Sequence, residues 1–489
     1  MLKIYNSLGH KLEEFKPIRP GQVTMYVCGP TVYSYLHVGN FRGPVFFNFV
    51  RRWFEHLGYH VDYALNFTDV DDKIVTKAQT ENVHFKEISE RYIAAYMQDF
   101  KDLGLDAHTH NPKVTDYIPQ IIEMIGTLVK NDVAYEAGGD VNFSINHFQS
   151  YGKLSGRKTE DMLQGVRIDV DEKKKNPLDF ALWKKAKTGE DLKGSIWNSP
   201  WGEGRPGWHI ECSAMVKGLY GNQIDIHGGG LDLVFPHHEN EIAQSEGCTG
   251  QHYVNHWMHV NMLNFSGAKM SKSLGTVVNM REFLQKYHSE VYKWMILSVH
   301  YRSLAEFSDA SIDLAVSGLA RVYSALALAK SLVQEGPTAS VWDEKYAEQL
   351  TSETKRIDQF LNDDFGTPGA FGVMFDVVRQ FNSQNRRGQK TNPQVSGKAL
   401  QFIDFIKRFG KFLSLFQEDA PQFLVSLDDK LLEKMNVRRA DVDQLVAERQ
   451  KVRAEKNFVK ADEFRAELTK KGIQIADLAD GICYWEVAK

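Results

Sequence analysis

The chain has 489 residues and a mass of 55.8 kDa, which at ~150 residues per domain suggests about three domains. Hydrophobic residues make up 43% and charged residues 25%, which excludes a mainly disordered chain, a collagen-like fibre and a coiled-coil rod. Lys and Arg number 59 against 63 Asp and Glu, a net charge of −4, so nucleic-acid contact would need a local basic surface rather than a global field. The four cysteines, Cys28, Cys212, Cys248 and Cys483, are too few and too scattered for a disulfide framework. Met1 to Tyr5 are not followed by an apolar core and cleavage site, and no run of ~20 apolar residues is read. The expectation is a cytoplasmic protein with reduced thiols and no membrane span.

In chain order, Thr24 to Cys28 is a short apolar strand stopped by Gly29-Pro30. Val45, Phe46, Phe49, Val50, Trp53, Phe54 and Leu57 recur at helical spacing, and Gly58 suits the helix end. Val61, Tyr63, Leu65 and Phe67 then alternate as in a strand. Strand, helix and strand in so short a span predict a βαβ unit and a parallel sheet. From roughly 120 to 200 the pattern is mixed, with 171–175 as a charged loop, and reads as an insertion. Alternating signals resume from Gly207 to His259, where Gly228-Gly229-Gly230 follows Ile224-Asp225-Ile226-His227. Beyond Ala310 four apolar helical faces predict a bundle. They are Ile312, Ala315, Leu319, Val322, Leu326 and Val333 (ended by Gly336-Pro337); Ile357, Phe360 and Leu361; Phe371, Met374, Phe375, Val378 and Phe381; and Leu400, Ile403, Ile406 and Phe409. Between Arg449 and Lys471 eight basic and four acidic residues leave the tail locally positive.

Two motifs carry chemistry. His37-Val38-Gly39-Asn40 stands where a strand gives way to a helix, whose free N–H groups and dipole favour phosphate. Alone, these four residues favour a plain helix-entry turn with a surface histidine. Lys269-Met270-Ser271-Lys272-Ser273 offers two cations that can grip a polyphosphate, and alone it equally describes a polar surface loop. In this order and context the pair resembles the two signatures of class I aminoacyl-tRNA synthetases. Tyr26 to Tyr33, Gly204 to Ser213, Phe235 to Glu241 and His300-Tyr301-Arg302-Ser303 narrow the resemblance to the cysteinyl-tRNA synthetase family, over essentially the whole chain.

The resemblance implies an α/β fold: a Rossmann-like parallel-sheet catalytic domain with an insertion, then an α-helical bundle and a small mixed C-terminal domain. The implied divisions are 1–120 and 204–262 for the two catalytic halves and 121–203 for the insertion. Residues 263–309 form a stem-contact region, 310–424 the tRNA-binding bundle and 425–489 the tail domain. The implied activity joins L-cysteine to tRNA(Cys) through a cysteinyl-adenylate, with ATP and Mg²⁺, by a monomer. His37, Asn40, Lys269 and Lys272 would be catalytic. His37, Gly39, Asn40, Gly229, Asp232 and both lysines would bind ATP. Cys28, Gly29, Thr31, Thr68, Trp208 and His227 would bind cysteine. Cys28, Cys212, His237 and Glu241 would hold one zinc ion, a chemically sensible set of two thiolates, an imidazole and a carboxylate. The residues alone favour ordinary buried cysteines, since 184 positions separate Cys28 from Cys212 and no C-x-x-C pair exists. His238 reads as structural, and Asp106 to Pro112 as a polar turn rather than a second metal site.

Departures from the family's usual pattern are Phe41-Arg42-Gly43, Leu274-Gly275-Thr276, Gly366 where asparagine is usual, and the C-terminal Gly481 to Trp485. Two other readings stay open. One is an ATP-dependent ligase joining cysteine to an amino sugar–inositol acceptor in mycothiol synthesis, which would lack the full bundle and tail. The other is a non-catalytic RNA-binding paralogue.

Overall fold

The computed structural model describes residues 1–158, 174–187, 189, 191–265, 278–333, 340–477 and 483–488. Lys269, Lys272, Gly336 and Pro337 therefore lie outside the described residues, as do most of 171–175.

The predicted βαβ unit is present. Strand β1 (Gln22–Val27) leads through a single turn to helix α1 (Arg42–His56), and the chain returns as strand β2 (His60–Leu65) beside β1 in parallel register. Helix α1 forms because Val45, Phe46, Phe49, Val50, Trp53 and Phe54 share one stripe, and all six are buried. Leu57, expected in that stripe, is the residue just past the helix and is 38% exposed. After the insertion come helix α2 (Trp208–Tyr220), strand β3 (Ile224–Gly230), helix α3 (Glu239–Thr249) and strand β4 (Val254–Val260). The sheet order is β4-β3-β1-β2, every pair parallel. Parallel strands present ligand-binding groups at their carboxyl edge, and Cys28, Asn66 and Gly230 all stand there.

The insertion carries its own four-stranded antiparallel sheet, with Ala134–Ala137, Asp140–Phe143, Phe180–Lys185 and Gly204–Pro206 in that order. Beyond it, the bundle contains Asp309–Leu332, Glu344–Leu361, Thr367–Gln384, Pro393–Leu413 and Ala420–Lys434. The first is long and apolar enough to cross a membrane by composition, against the sequence expectation, but Ile312, Leu319, Val322 and Leu326 are buried in the bundle. Two residues assigned to the buried faces do not belong there. Phe360 is 43% exposed, its ring lying where a Cβ on Gly369 would stand, and Leu400 is equally exposed.

The tail holds helices Arg439–Ala454 and Phe458–Lys470 and an antiparallel hairpin, Ile473–Asp477 with Cys483–Val487. Leu432, Val442, Val446, Leu468, Ile473 and Val487 form a separate small core there. Phe458 is 60% exposed at the start of its helix.

Candidate active site and metal centre

A cavity of about 690 Å³ opens at the carboxyl edge of the sheet. Its wall includes Cys28, Gly29 and Thr31 after β1, His37, Gly39 and Asn40 before α1, Gly229 and Asp232 after β3, and Trp208 at the start of α2. Twelve of the sequence-predicted site residues thus meet at one opening or in the floor beneath it.

The His37 turn is a single 3-10 turn, Val38–Phe41, with His37 as its cap. Asn40 Oδ1 accepts from the His37 amide at 3.1 Å, which fixes Asn40 back on the turn it closes. Burial lowers the His37 pKa, so near neutral pH its ring is a neutral donor or acceptor. Gly29 is dictated by close approach. Its amide donates to Asn66 Oδ1 at 2.8 Å, and a Cβ there would stand 1.7 Å from the Asn66 carbonyl oxygen. At Gly229 a Cβ would meet the His238 ring at 2.8 Å, so the strand end can pass over that histidine only as glycine.

Cys28, Cys212, His237 and Glu241 converge in the floor. One ligand atom from each lies within 4.8 Å of the others. Cys28 Sγ is 3.7 Å from Cys212 Sγ and 3.5 Å from Glu241 Oε1, and His237 Nε2 is 3.1 Å from the same oxygen. Three segments build this group: Cys28 ends β1, Cys212 sits in the second turn of α2, and His237 and Glu241 straddle the entry to α3. The i, i+4 spacing does put His237 and Glu241 on one side, although the chain around Phe235 is not helical.

Electrostatics in the floor favour the ionised forms of Cys212, His237 and Glu241. Hydrogen bonding to Cys28 lowers the Cys212 thiol to about 6 against the opposing effect of burial, while burial pushes Cys28 up. Burial alone would lower His237, but hydrogen bonds to Cys212 and Glu241 outweigh it and raise the imidazolium to about 10. Burial alone would raise Glu241, but His227 and His237 outweigh it and hold the carboxyl well below its usual range. A thiolate, an imidazolium and a carboxylate packed together fit a cation that replaces the protons. These residues are a possible metal-binding group.

His227 and Thr68 do not line the cavity. His227 is fully buried, its Nε2 2.9 Å from Glu241 Oε2 and its ring stacked on Trp257. Such a contact orients a ligating carboxylate from behind. Thr68 is buried too, and its hydroxyl donates to Glu211 Oε2 at 3.2 Å. Trp208 is 42% exposed in the wall and stacks on His237 with ring centroids 4.5 Å apart, so it is a wall residue rather than core. His238 sits in the structural role read for it, with Nε2 3.3 Å from Cys28 Sγ and Nδ1 2.8 Å from His259 Nε2. With Cys28, His227 and Glu241 it also forms a second, overlapping group with ligand-like spacing. Asp106 to Pro112 is a polar turn: Asp106 pairs with Arg52 at 2.7 Å, and His108 is buried against Tyr63 and Phe100.

Several residues here gave no signal in the sequence. Buried Glu239 accepts the amides of Gly152, Leu154 and Ser155, tying the insertion to the helix that carries Glu241. Asp364 accepts from the Tyr5 amide, the Tyr301 hydroxyl and Arg302 Nε at 2.6–2.8 Å, joining the N-terminal hairpin, the 300–303 turn and the bundle. A single acidic residue in a polar run looks solvated until the three segments meet.

This parallel sheet with a phosphate-suited turn at its carboxyl edge, interrupted by an insertion and followed by a bundle, has the architecture of the class I aminoacyl-tRNA synthetases. Residues 14–317 match the family described as tRNA synthetases class I (C) catalytic domain, and residues 356–417 match the DALR domain. A solved methionyl-tRNA synthetase from Mycobacterium tuberculosis, in complex with methionyl-adenylate, superposes with a TM-score of 0.60 at 11% identity, covering 82% of this chain and 93% of that one. A cysteine–tRNA ligase of Bdellovibrio bacteriovorus is 59% identical over 489 residues, 100% of both chains, and one of Geobacter sulfurreducens is 44% identical over 99% of both. The chain belongs to the cysteine–tRNA ligase family.

Proposed function

We propose that the protein joins L-cysteine to tRNA(Cys) in two steps, with Mg²⁺-bound ATP as the activating substrate. The observation that carries this reading is that Cys28 belongs both to the cavity wall and to the four-residue ligand group in its floor. A substrate entering the cavity meets that group at once. Cys28, Cys212, His237 and Glu241 would hold a zinc ion. When bound, zinc supplies a coordination position that a thiolate fills far better than a hydroxyl, which separates cysteine from serine without editing. Trp208 closes the pocket beside His237, while His227 orients Glu241 from below.

The cysteine carboxylate attacks the ATP α-phosphate, forming cysteinyl-adenylate and releasing pyrophosphate. A carboxylate is ionised at neutral pH, so no protein base is required. The chain's contribution is positioning and charge stabilisation, with His37 and Asn40 on one side of the phosphates and Lys269 and Lys272 on the other. Gly29 and Thr31 support the cysteine end, with Thr68 buried behind them on Glu211, and Gly39, Gly229 and Asp232 support the nucleotide. The 3′-terminal adenosine hydroxyl of tRNA then attacks the adenylate carbonyl, releasing AMP. The insertion, 121–203, would receive the acceptor end, 263–309 the stem, and the bundle and tail, 310–424 and 425–489, the tRNA body and anticodon. Four scattered cysteines suit a cytoplasmic setting, and one cavity with its full ligand group in a single chain suits a monomer. Cysteine-dependent ATP–pyrophosphate exchange, followed by charging of tRNA(Cys), tests the reading. Exchange without charging would point instead to a small amine acceptor.

A further inference from the structure

Arg42 is the first residue of α1, only 2% exposed, and part of the cavity lining. No carboxylate meets it among the described residues. It donates instead to main-chain carbonyls of two other segments. Nη1 donates to Met262, and Nη2 donates to Ser303 at 2.6 Å, with His300 and Tyr301 at 3.5 Å. A buried cation held by neutral carbonyls is expensive to desolvate, and burial lowers its pKa to about 10. Fold stability alone is better served by an apolar side chain.

The segments joined are informative. Met262 follows β4 and leads through Leu263–Asn264 toward residues 266–277, which carry the second signature. The other end of that stretch is tied to the first signature through the backbone. Val38 N donates to Val278 O at 2.9 Å, and Met280 N donates to Leu36 O at 3.0 Å. Leu263–Asn264 pairs in parallel with Ala305–Glu306, just past the turn Arg42 grips. The described residues on both sides of 266–277 are therefore fastened to the His37 turn, on the upstream side by one side chain.

We infer that Arg42 is a positioning residue, which fixes the exit of β4, whose Val260 to Leu263 line the cavity, and the 300–303 turn against the His37-Val38-Gly39-Asn40 turn. This rests on the proposed ATP-dependent activation of cysteine. Lysine keeps the charge but has no planar fork to span carbonyls from two segments.

The test is cysteine-dependent ATP–pyrophosphate exchange by the full-length protein and its Arg42→Lys and Arg42→Ala variants. Arg42→Lys should lower kcat at least about 10-fold and raise the KM for ATP, as misplacement by a fraction of an ångström does. KM for cysteine and bound metal per chain should change less than about twofold, since the ligand group shares no contact with Arg42. Ethylguanidinium, small enough to enter the cavity, should restore part of the Arg42→Ala rate, whereas ethylammonium should not. The inference is overturned if Arg42→Lys keeps kcat and both KM values, or if it loses metal and cysteine binding along with ATP binding. It is also overturned if folded Arg42→Ala ignores ethylguanidinium. Should Arg42→Ala not fold, Arg42→Lys alone decides. Absence of exchange by the parent protein would defeat the functional reading instead.

Discussion

Cys28 belongs both to the cavity wall and to the four-residue ligand group, and the consequences at the residue scale follow from that. Cys212→Ser replaces a thiolate with a poor zinc ligand in a group that has no spare sulfur, so bound zinc, measured by mass spectrometry, should fall at least about 10-fold. Trp208→Ala removes a wall residue that is 42% exposed, so the KM for cysteine should rise several-fold while the melting temperature shifts little. His108 has no part in the site, but burial pushes its pKa down to about 4. The unfolded chain takes up this proton below pH ~6.5 and the folded chain only near pH 4. The neutral ring therefore contributes fully above pH ~6.5, and its contribution fades as pH falls toward 4. Urea unfolding at pH 7 and pH 5 should differ by about 2 kcal/mol more in the parent than in His108→Gln. The ligands were legible only through resemblance, because no local spacing joins Cys28 to Cys212. The contacts of Glu211, Glu239 and Arg42 were not legible, since the Thr68 hydroxyl, the insertion amides and the carbonyls of Met262 and Ser303 come near only in the tertiary structure.

Among the elements, α1 and its flanking strands were readable because their apolar periods are strong and short-range. The bundle helices were readable as helices, but Phe360 and Leu400 were misassigned, since periodicity marks a face without saying how wide the covered stripe is. The joints between elements were not readable. Asp364 holds three segments through hydrogen bonds of 2.6–2.8 Å, so Asp364→Asn should cost about 2–4 kcal/mol in chemical unfolding. In the tail, Arg449 donates to both Asp477 oxygens at 2.7–2.8 Å, closing the hairpin onto the helix Arg439–Ala454. The hydrogen bond from Arg449 holds Asp477 down at about 2, against the partial burial that opposes it. A carboxyl held below its unfolded value of ~3.8 stabilises above that pH and loses its contribution as pH falls toward 2. Acid titration of the parent should expose a step between pH ~4 and ~2 in amide signals of 473–477 and 483–487, and Asp477→Asn should lack it.

For the whole molecule, a net charge of −4 conceals a division of labour. The sheet with its buried ligand group is one continuous core with the bundle, whereas the basic tail has its own small core and an exposed Phe458 at a helix start. Composition could exclude whole classes of protein but could not locate this division, because a sum of charges carries no position. Catalytic chemistry belongs to the first body, and the tail would contribute to RNA contact. The central claim is that the metal-binding floor and the His37 turn serve one reaction, the charging of tRNA(Cys) with cysteine. The most direct measurement is transfer of labelled cysteine to tRNA(Cys) by purified, zinc-loaded protein with ATP and Mg²⁺, with serine as competitor. The account predicts label on the 3′-terminal adenosine, dependent on ATP and insensitive to a large excess of serine. Folded, zinc-loaded protein that consumes no ATP with cysteine, or that charges serine equally well, would contradict it.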